Sequence, residues 1–393
     1  MSALANKTYF NYGGQGPLPT PSLEAMVATW QRVQELGPFT DDVWPLLGRL
    51  SGDLRSRLAA WFGVPPTRVA FTENVTSGCV LPLWGLPWQN GDEILLGDAE
   101  HPGVVAACRE LAHRQQLTIA ALPVRDLPGD GPEADAALLE ALDRSLGPRT
   151  RLVVLSHLLW NSGRILPIEA VAERLADHPR QPWLLVDAAQ SLGSLPVAGA
   201  ARAADIYAGT GHKWCCGPEG LGAVVLSERV LEQARPTLIG WRSLQDESRG
   251  AADYHRDGRR FEVATSCTPL LAGLARSLEL LEAEGDAEAR LTRIRATSGR
   301  LWQGLQALPG ARPLLPVAPP AGLVSFTLHR RDGSPIEPGA IVRALGGQGL
   351  WLRSLPDPLC VRACTHITTL DDEVDRLLAA LAALVDRMAS DRL

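Results

Sequence analysis

The 393-residue sequence predicts an α/β fold, with a large doubly wound domain on a mainly parallel sheet and a smaller α+β domain. Three observations predict it. Between residues 65 and 230 short apolar runs alternate with longer stretches of helical periodicity, the order that βαβ units impose. Several of the runs, RLVVLSH and WLLVDAAQ among them, are apolar almost throughout, as strands buried on both faces of a parallel sheet must be. After about residue 255 the texture changes to long amphipathic helices separated by strand-like runs.

In chain order, the strand candidates of the large domain are 68–71, 93–96, 117–122, 151–156, 183–187, 205–208 and 222–226. Helices fit between most of them, as in ALLEALDRSL and PIEAVAERLADH. Further on, Leu291, Ile294, Leu301, Leu305 and Leu308 stand at helical spacing, and residues 371–389 form another amphipathic helix. Between these, GLVSFTLHR and LWLRSLPDPLCVRAC read as strands and 313–320 as a surface connection. The expected division is a large domain over 21–254 and a small one made of 255–393 with 1–20. The opening segment, rich in Gly and Pro, is too short to fold alone and is expected to pack across both.

Composition narrows the function. Hydrophobic residues make up 46% and charged residues 21%, ordinary for a folded globular chain. The net charge of −6 and the lack of a Lys/Arg-rich run argue against a nucleic-acid surface. The segment MSALANKTYFNYGGQG lacks the basic flank and apolar core of a signal peptide. No apolar run approaches the roughly 20 residues of a membrane span. Seven cysteines, with no CxxC pair, indicate neither a zinc site nor a disulfide framework. No metal is expected, and the expected compartment is the reducing cytoplasm.

Ligands of open α/β sheets bind beyond the carboxyl ends of the strands. The polar residues there are Thr72, Asn74, Thr76 and Ser77; Glu100 and His101; Asn161; Asp187 and Gln190; and Thr210, His212 and Lys213. A lysine in a confined site can lose its proton and form a Schiff base. A strand-end aspartate can hold a protonated pyridine nitrogen, which makes the ring an electron sink. Small hydroxyl residues with Gly at a strand-to-helix turn, NVTSG, supply amides and oxygens for a phosphate. An imidazole can cover a ring face. Together these describe a pyridoxal 5′-phosphate (PLP) site. Each residue also has a plainer reading: Asp187 as a turn residue, His101 and Thr76 as helix caps. Two other phosphate readings fail. GTGHKW lacks the spacing of a P-loop, and GPEGLGAVV lies too late for a dinucleotide fingerprint.

The order and spacing of TENVTSG (72–78), EHPG (100–103), SHLLWNSG (156–163), VDAAQSLG (186–193), TGHKWCCGPEG (210–220), RFEVATS (260–266) and VRACTHI (361–367) resemble the class V aminotransferase superfamily, which contains the cysteine desulfurases. Within it, FNYGGQG, NVTSGC, LLWNSG, TGHKW, GWRS and DPLCVRAC are most similar to the L-cysteine/cystine C–S lyases. The resemblance covers about 10 to 370 and implies the fold type I, aspartate aminotransferase-like architecture of PLP enzymes.

It also implies roles. Lys213 is expected to be the Schiff-base lysine and α-proton shuttle, Asp187 to pair the pyridine nitrogen, Gln190 to reach the ring hydroxyl and His101 to stack on the ring. Val75, Thr76, Thr210 and His212 are expected at the phosphate, with Thr265 supplied by the second subunit of a homodimer, and Asn161 near the ring. Arg362 is expected to clamp the substrate carboxylate, with Trp241, Gly14 and Gln15 lining the substrate pocket.

Two departures stand out. Desulfurases commonly carry Asn three residues after the SH histidine, where this chain has Trp160, with Asn161 one later. They also place a mobile cysteine loop before the arginine, where this chain runs LRSLPDPLCVRAC. Cys360 and Cys364 flank Arg362 at a period of two and share its face on a strand. The expected reaction is therefore β-elimination of cystine or cysteine to pyruvate and ammonia, releasing a persulfide or sulfide usable for iron–sulfur cluster assembly, with a sulfur-acceptor protein as a possible partner. The alternatives are a desulfurase that yields alanine with Cys360 or Cys364 as acceptor, and a non-catalytic sulfur-carrying or partner-binding protein on a PLP fold.

Overall fold

Seven strands form the large sheet of the computed structural model, which describes residue 4 and residues 7–127, 131–246, 248 and 253–390. After a short β1 (Thr8–Tyr9), they are β2 (Val69–Thr72), β3 (Glu93–Gly97), β4 (Thr118–Leu122), β5 (Thr150–Ser156), β6 (Trp183–Asp187), β7 (Ile206–Thr210) and β8 (Gly222–Leu226). All seven coincide with the apolar runs read from the sequence, to within one or two residues. Their order is β2-β8-β7-β6-β5-β3-β4. The pairs from β7 to β4 are parallel, whereas β8 runs antiparallel to both β7 and β2. The return of β8 beside β7 puts both ends of the 211–221 loop on the same rim.

The period of two along β5 explains the double winding. Leu152 and Val154 enter one apolar cluster with Leu83 of α3 (Val75–Trp84) and Cys108 of α4 (Pro102–Gln115). Val153 and Leu155 enter the opposite cluster with residues of α2 (Trp44–Phe62), α5 (Pro132–Ser145), α6 (Ile168–Ala176) and α7 (Ala198–Ala203). Burial on both faces is why these strands carry almost no polar residues before their carboxyl ends.

The small sheet, ordered β12-β13-β10-β9, is antiparallel throughout. Its strands are β9 (Ala311–Pro313), β10 (Leu323–Leu328), β12 (Arg353–Pro356) and β13 (Leu359–Cys364), while β11 (Leu350–Trp351) pairs with β1. Val361 and Ala363 face a core shared with Phe10, Leu301 and Leu305 of α10 (Ala287–Ala307), Ile341 of α11 (Pro338–Gly346) and Leu377 of α12 (Asp371–Ser390). Phe10 lies in this core and Tyr12 in the large one, so the opening segment does span both; residues 1–3 and 5–6 lie outside the described residues.

The boundary expected at 254/255 is corrected by the packing. Helix α9 (Pro269–Glu282) lies along α1 (Thr20–Leu36) and α2, and its Leu271, Leu274, Leu278 and Leu281 join the large core. Its apolar stripe is satisfied there, so the small core starts with the second half of α10. Residues 249–252, just before the expected boundary, lie outside the described residues. Among the described residues no helix is long and apolar enough to cross a membrane.

Candidate active site

The lysine loop is set first, by hydrogen bonds and close backbone approaches. The Gly211 N–H donates to the Leu221 carbonyl at 3.0 Å and the Cys216 N–H to the Lys213 carbonyl at 3.0 Å. A Cβ on Gly16 would lie 2.2 Å from the Lys213 carbonyl oxygen, and one on Gly193, where φ is +94°, 2.7 Å from the Trp214 carbonyl carbon. Only glycine permits either approach. Trp214 is fully buried and donates its Nε1–H to Gln190 Oε1 at 2.9 Å. Burial pulls the Lys213 ammonium down to about 8; Asp187 opposes the fall, and Arg362 and Arg353 add to it.

Asp187 ends β6, buried, with Oδ1 accepting the Ala189 N–H at 2.8 Å. Burial raises its carboxyl, while that N–H, Lys213 and His101 hold the rise back. The residue thus fills a turn role and still offers its second oxygen. His101 does likewise. It caps α4 by accepting the Gly103 N–H on Nδ1 at 3.2 Å, which leaves the ring proton on Nε2. Burial and then Lys213 lower its pKa, so the ring is neutral near pH 7, and it stands edge-on to Trp160 at 5.5 Å.

The cap of α3 falls to Asn74 rather than Thr76: Asn74 Oδ1 accepts the Ser77 N–H at 3.0 Å. The Thr76 hydroxyl is released from that task, and the first-turn amides of Val75 and Thr76 have no intrahelical acceptor. Nearby, Thr210 Oγ1 and His212 Nδ1 are 2.7 Å apart. Burial, then Lys213, lowers the His212 pKa. A Cβ on Gly103 would lie 3.3 Å from His101 Nδ1 and 3.6 Å from Thr76 Oγ1, so the amino ends of α3 and α4 meet. Two helix amino termini and neutral donors make an anion cradle.

Arg362 closes the other side from β13. It is buried, donates Nη1–H to the Trp160 carbonyl at 2.8 Å and Nη2–H to Asn11 Oδ1 at 3.4 Å, and its Nε has no partner among the described residues. No described carboxylate pairs with it. A buried cation held by neutral oxygens alone is costly, and an incoming carboxylate removes that cost.

Several expected residues land differently. Gln190 spends its amide on Trp214 and on the Gly13 carbonyl, to which Nε2 donates at 2.9 Å, leaving one N–H for a ligand. Asn161 is buried and folds its Oδ1 back on the Ser162 N–H at 2.8 Å, because the turn after β5 needs an acceptor there. Gly14 packs against Asn11 and Gln15 pairs with Glu219; the residue against Arg362 is Gly13, whose Cβ position lies 2.8 Å from Nη2. Trp241 and Thr265 line a separate cavity of about 530 Å³ with Trp30, Phe39 and Trp44, whose walls contain none of Lys213, Asp187, His101 or Arg362. Within one chain Trp241 thus lies away from Lys213: its turn (Trp241–Ser243) packs on Trp44, at the start of α2.

Sequence reading missed Asn11, Gly13, Trp160 and Arg353. A signal existed for the last: Arg353 and Arg362 are equidistant from the Asp357–Pro358 turn, so a hairpin must oppose them.

The family model for aminotransferase class-V matches residues 48–377. The chain belongs to the class-V aminotransferase family. The solved cystine C–S lyase C-DES, in complex with its reaction product cysteine persulfide, is 44% identical to this family member, covers 96% of it and 98% of its own chain, and superposes with a TM-score of 0.90. A second structure of C-DES, a lysine-to-alanine variant, has glycine covalently linked to the PLP cofactor. Isopenicillin N epimerase of Amycolatopsis lactamdurans is 30% identical over 96% of this chain and 95% of its own. A probable cysteine desulfurase of Pseudomonas aeruginosa is 30% identical over 76% of this chain and 71% of its own.

Proposed function

We propose that this protein is a PLP-dependent carbon–sulfur lyase that cleaves L-cystine by β-elimination. The donor set suits the cofactor: a lysine depressed to about 8, a buried strand-end carboxylate, a neutral imidazole, and free amides at the amino end of α3. On this reading Lys213 carries the cofactor, Asp187 holds the pyridine nitrogen and Gln190 offers its remaining N–H to the ring hydroxyl. His101 covers the ring face, with Asn161 behind it. The amides of Val75 and Thr76, with Thr210 and His212, hold the phosphate. PLP, when bound, supplies the electron sink for the pair left at Cα.

Arg362 fixes the substrate carboxylate and Lys213 takes the Cα proton. The Cβ–S bond then breaks and sulfur leaves with its electron pair as cysteine persulfide. Cystine and one water become pyruvate, ammonia and cysteine persulfide, and a persulfide leaves more readily than a plain thiolate because its conjugate acid is the stronger one.

One observation favours elimination over desulfuration. Cys360 and Cys364 are fully buried on β13, a central strand bonded to β12 and β10, and burial pushes the Cys360 thiol up to about 11. A strand so held cannot swing a thiolate to the substrate. Exposed Cys267 stands in the Trp241 cavity. The same reading includes a homodimer in which Thr265 and Trp241 serve the neighbouring site, a cytoplasmic location in keeping with seven free cysteines, and delivery of the persulfide to an acceptor protein for iron–sulfur clusters.

The test is product analysis of the PLP-loaded protein with L-cystine and L-cysteine side by side. Pyruvate is expected in step with persulfide, faster from cystine, and retained in Cys267→Ala, Cys360→Ala and Cys364→Ala. Alanine as the main product, or loss of optical activity without cleavage, overturns the assignment in favour of a desulfurase or an epimerase.

A further inference from the structure

A buried imidazole joins three segments that each carry part of the site. His366 follows β13, just beyond Arg362, and is buried. Its Nδ1 accepts the Thr368 N–H at 3.4 Å and the Thr368 hydroxyl at 3.1 Å. The ring proton therefore sits on Nε2 and is donated to the Trp214 carbonyl at 3.0 Å. The Tyr12 hydroxyl, kept protonated by burial, donates in turn to Thr368 Oγ1 at 2.8 Å, and the Tyr12 ring stacks on the imidazole at 4.4 Å. Burial lowers the His366 pKa to about 4, so the ring is neutral near pH 7. The chain of hydrogen bonds thus runs one way, from Tyr12 through Thr368 and His366 to the carbonyl beside Lys213. The loop that it reaches is strained. Cys216, whose N–H closes the turn on the Lys213 carbonyl, has a φ of +50°. That left-handed conformation costs a non-glycine residue energy and persists where its surroundings hold it. Ser277 holds the Cys216 carbonyl at 2.9 Å, while His366 holds the Trp214 carbonyl and has Cys216 Sγ 3.9 Å from the same Nε2.

We propose that His366 is a positioning residue, which ties the lysine loop to the strand that carries Arg362 and so fixes the Lys213 amine relative to the held substrate. The inference rests on the reading of Lys213 as cofactor lysine and proton carrier. Taking the Cα proton needs the amine and the clamped carboxylate in one frame, because a small misplacement costs far more in rate than in binding. Yet the two come from different bodies: Lys213 follows β7 of the large sheet, and Arg362 lies on β13 of the small one. Tyr12 adds the third body, the opening segment, whose Asn11 reaches Arg362 at 3.4 Å and whose Gly16 N–H donates to the His212 carbonyl at 2.8 Å. An apolar side chain of similar volume would fill the place of the imidazole, but would leave the buried Trp214 carbonyl without this donor.

The experiment compares the parent with His366→Leu, His366→Gln and Thr368→Val. One readout is PLP uptake by the cofactor-free protein against pH, which follows the neutral Lys213 amine; the other is kcat and KM with L-cystine. The groups that act on Lys213, namely Asp187, Arg362, Arg353 and Cys364, are unaltered in all three variants. For His366→Leu the uptake midpoint is expected about one pH unit or more above the parent's, because a loosened loop admits water to the amine. Its kcat is expected about tenfold or more lower, with KM within about twofold of the parent's. His366→Gln, whose amide still reaches the Trp214 carbonyl, should recover most of both. Thr368→Val removes the hydroxyl that orients the ring and should move both readouts the same way by less, and it decides the matter where the leucine variant does not fold. Parental midpoint and kcat in the folded variants, losses carried by KM, or no recovery with glutamine overturns the proposal. The cofactor reading fails separately, by a parent that takes up no PLP or carries it on Lys7, the chain's other lysine. The elimination reading fails by the absence of pyruvate from a parent that takes up PLP normally.

Discussion

Lys213 joins a depressed ammonium to a loop tied to the N-terminal segment, whose Gly16 N–H donates to the His212 carbonyl at 2.8 Å. With burial holding it at about 8 against an ordinary 10.5, its neutral fraction rises as pH rises through 8. The amine reacts with an aldehyde only when neutral. Uptake of PLP by the cofactor-free protein, followed by absorbance, should therefore accelerate from pH 6.5 to about 8.5 and then level off; an inflection near 10 would show that the side chain is not confined. For Arg362, Arg362→Lys keeps the charge but loses the fork that reaches Trp160 and Asn11. A fall in kcat/KM of roughly tenfold or more, about 1.4 kcal/mol, is expected, carried mainly by KM. Unchanged kinetics on amino-acid substrates would remove Arg362 from the site. Lys213, Asp187 and His101 were legible in the sequence because each follows a strand within a short motif. Asn11, Gly13 and Trp160 were not, because they reach Arg362 from segments at least 202 residues away from it in sequence.

At the scale of elements, the joint between β5 and α4 carries a buried carboxyl with a readable sign. Glu100 accepts the Ser156 N–H at 2.7 Å and pairs with the Ser156 hydroxyl at 2.6 Å, and burial raises it to about 8 from 4.5. The folded protein therefore holds a proton there that the unfolded chain releases between 4.5 and 8. Stability from this group is present at low pH and is lost as pH rises toward 8 and above. Glu100→Gln mimics the protonated acid, with an acceptor for the N–H and a donor for the hydroxyl. Urea unfolding at pH 6 and pH 9, in the same cofactor state, should show the variant gaining on the parent as pH rises. A constant difference would mean that Glu100 is ionised in the fold. Strand positions were legible for a related reason: double burial leaves a run of apolar residues that few other structures produce. Helix α9 was assigned to the wrong body, because an amphipathic stripe shows that a helix is covered but not by what.

At the scale of the whole molecule, an apolar face stands bare among the described residues. Phe39 is 82% exposed, and Trp30, Trp44 and Trp241 are exposed beside it, around the cavity that Thr265 lines. Contiguous exposed aromatics on this scale mark an interaction surface. The proposed homodimer would supply the occupant, and in it the RFEVATS segment, which lies away from Lys213 in its own chain, would bring Thr265 to the neighbour's phosphate. Dimerisation and cofactor binding are then linked, since each favours the same assembled state. A double variant, Trp44→Glu with Trp241→Glu, places charges in the covered face while leaving the Lys213 loop, Asp187 and Arg362 untouched. Sedimentation should show the parent as a dimer and the variant shifted to monomer, with PLP held at least tenfold less tightly by the variant, about 1.4 kcal/mol. Thr265→Ala should weaken PLP without breaking the dimer, which separates the contributed hydroxyl from the apolar contact. A parent that sediments as a monomer while fully active would rule out a shared site, and would leave Thr265 with no part in holding the cofactor.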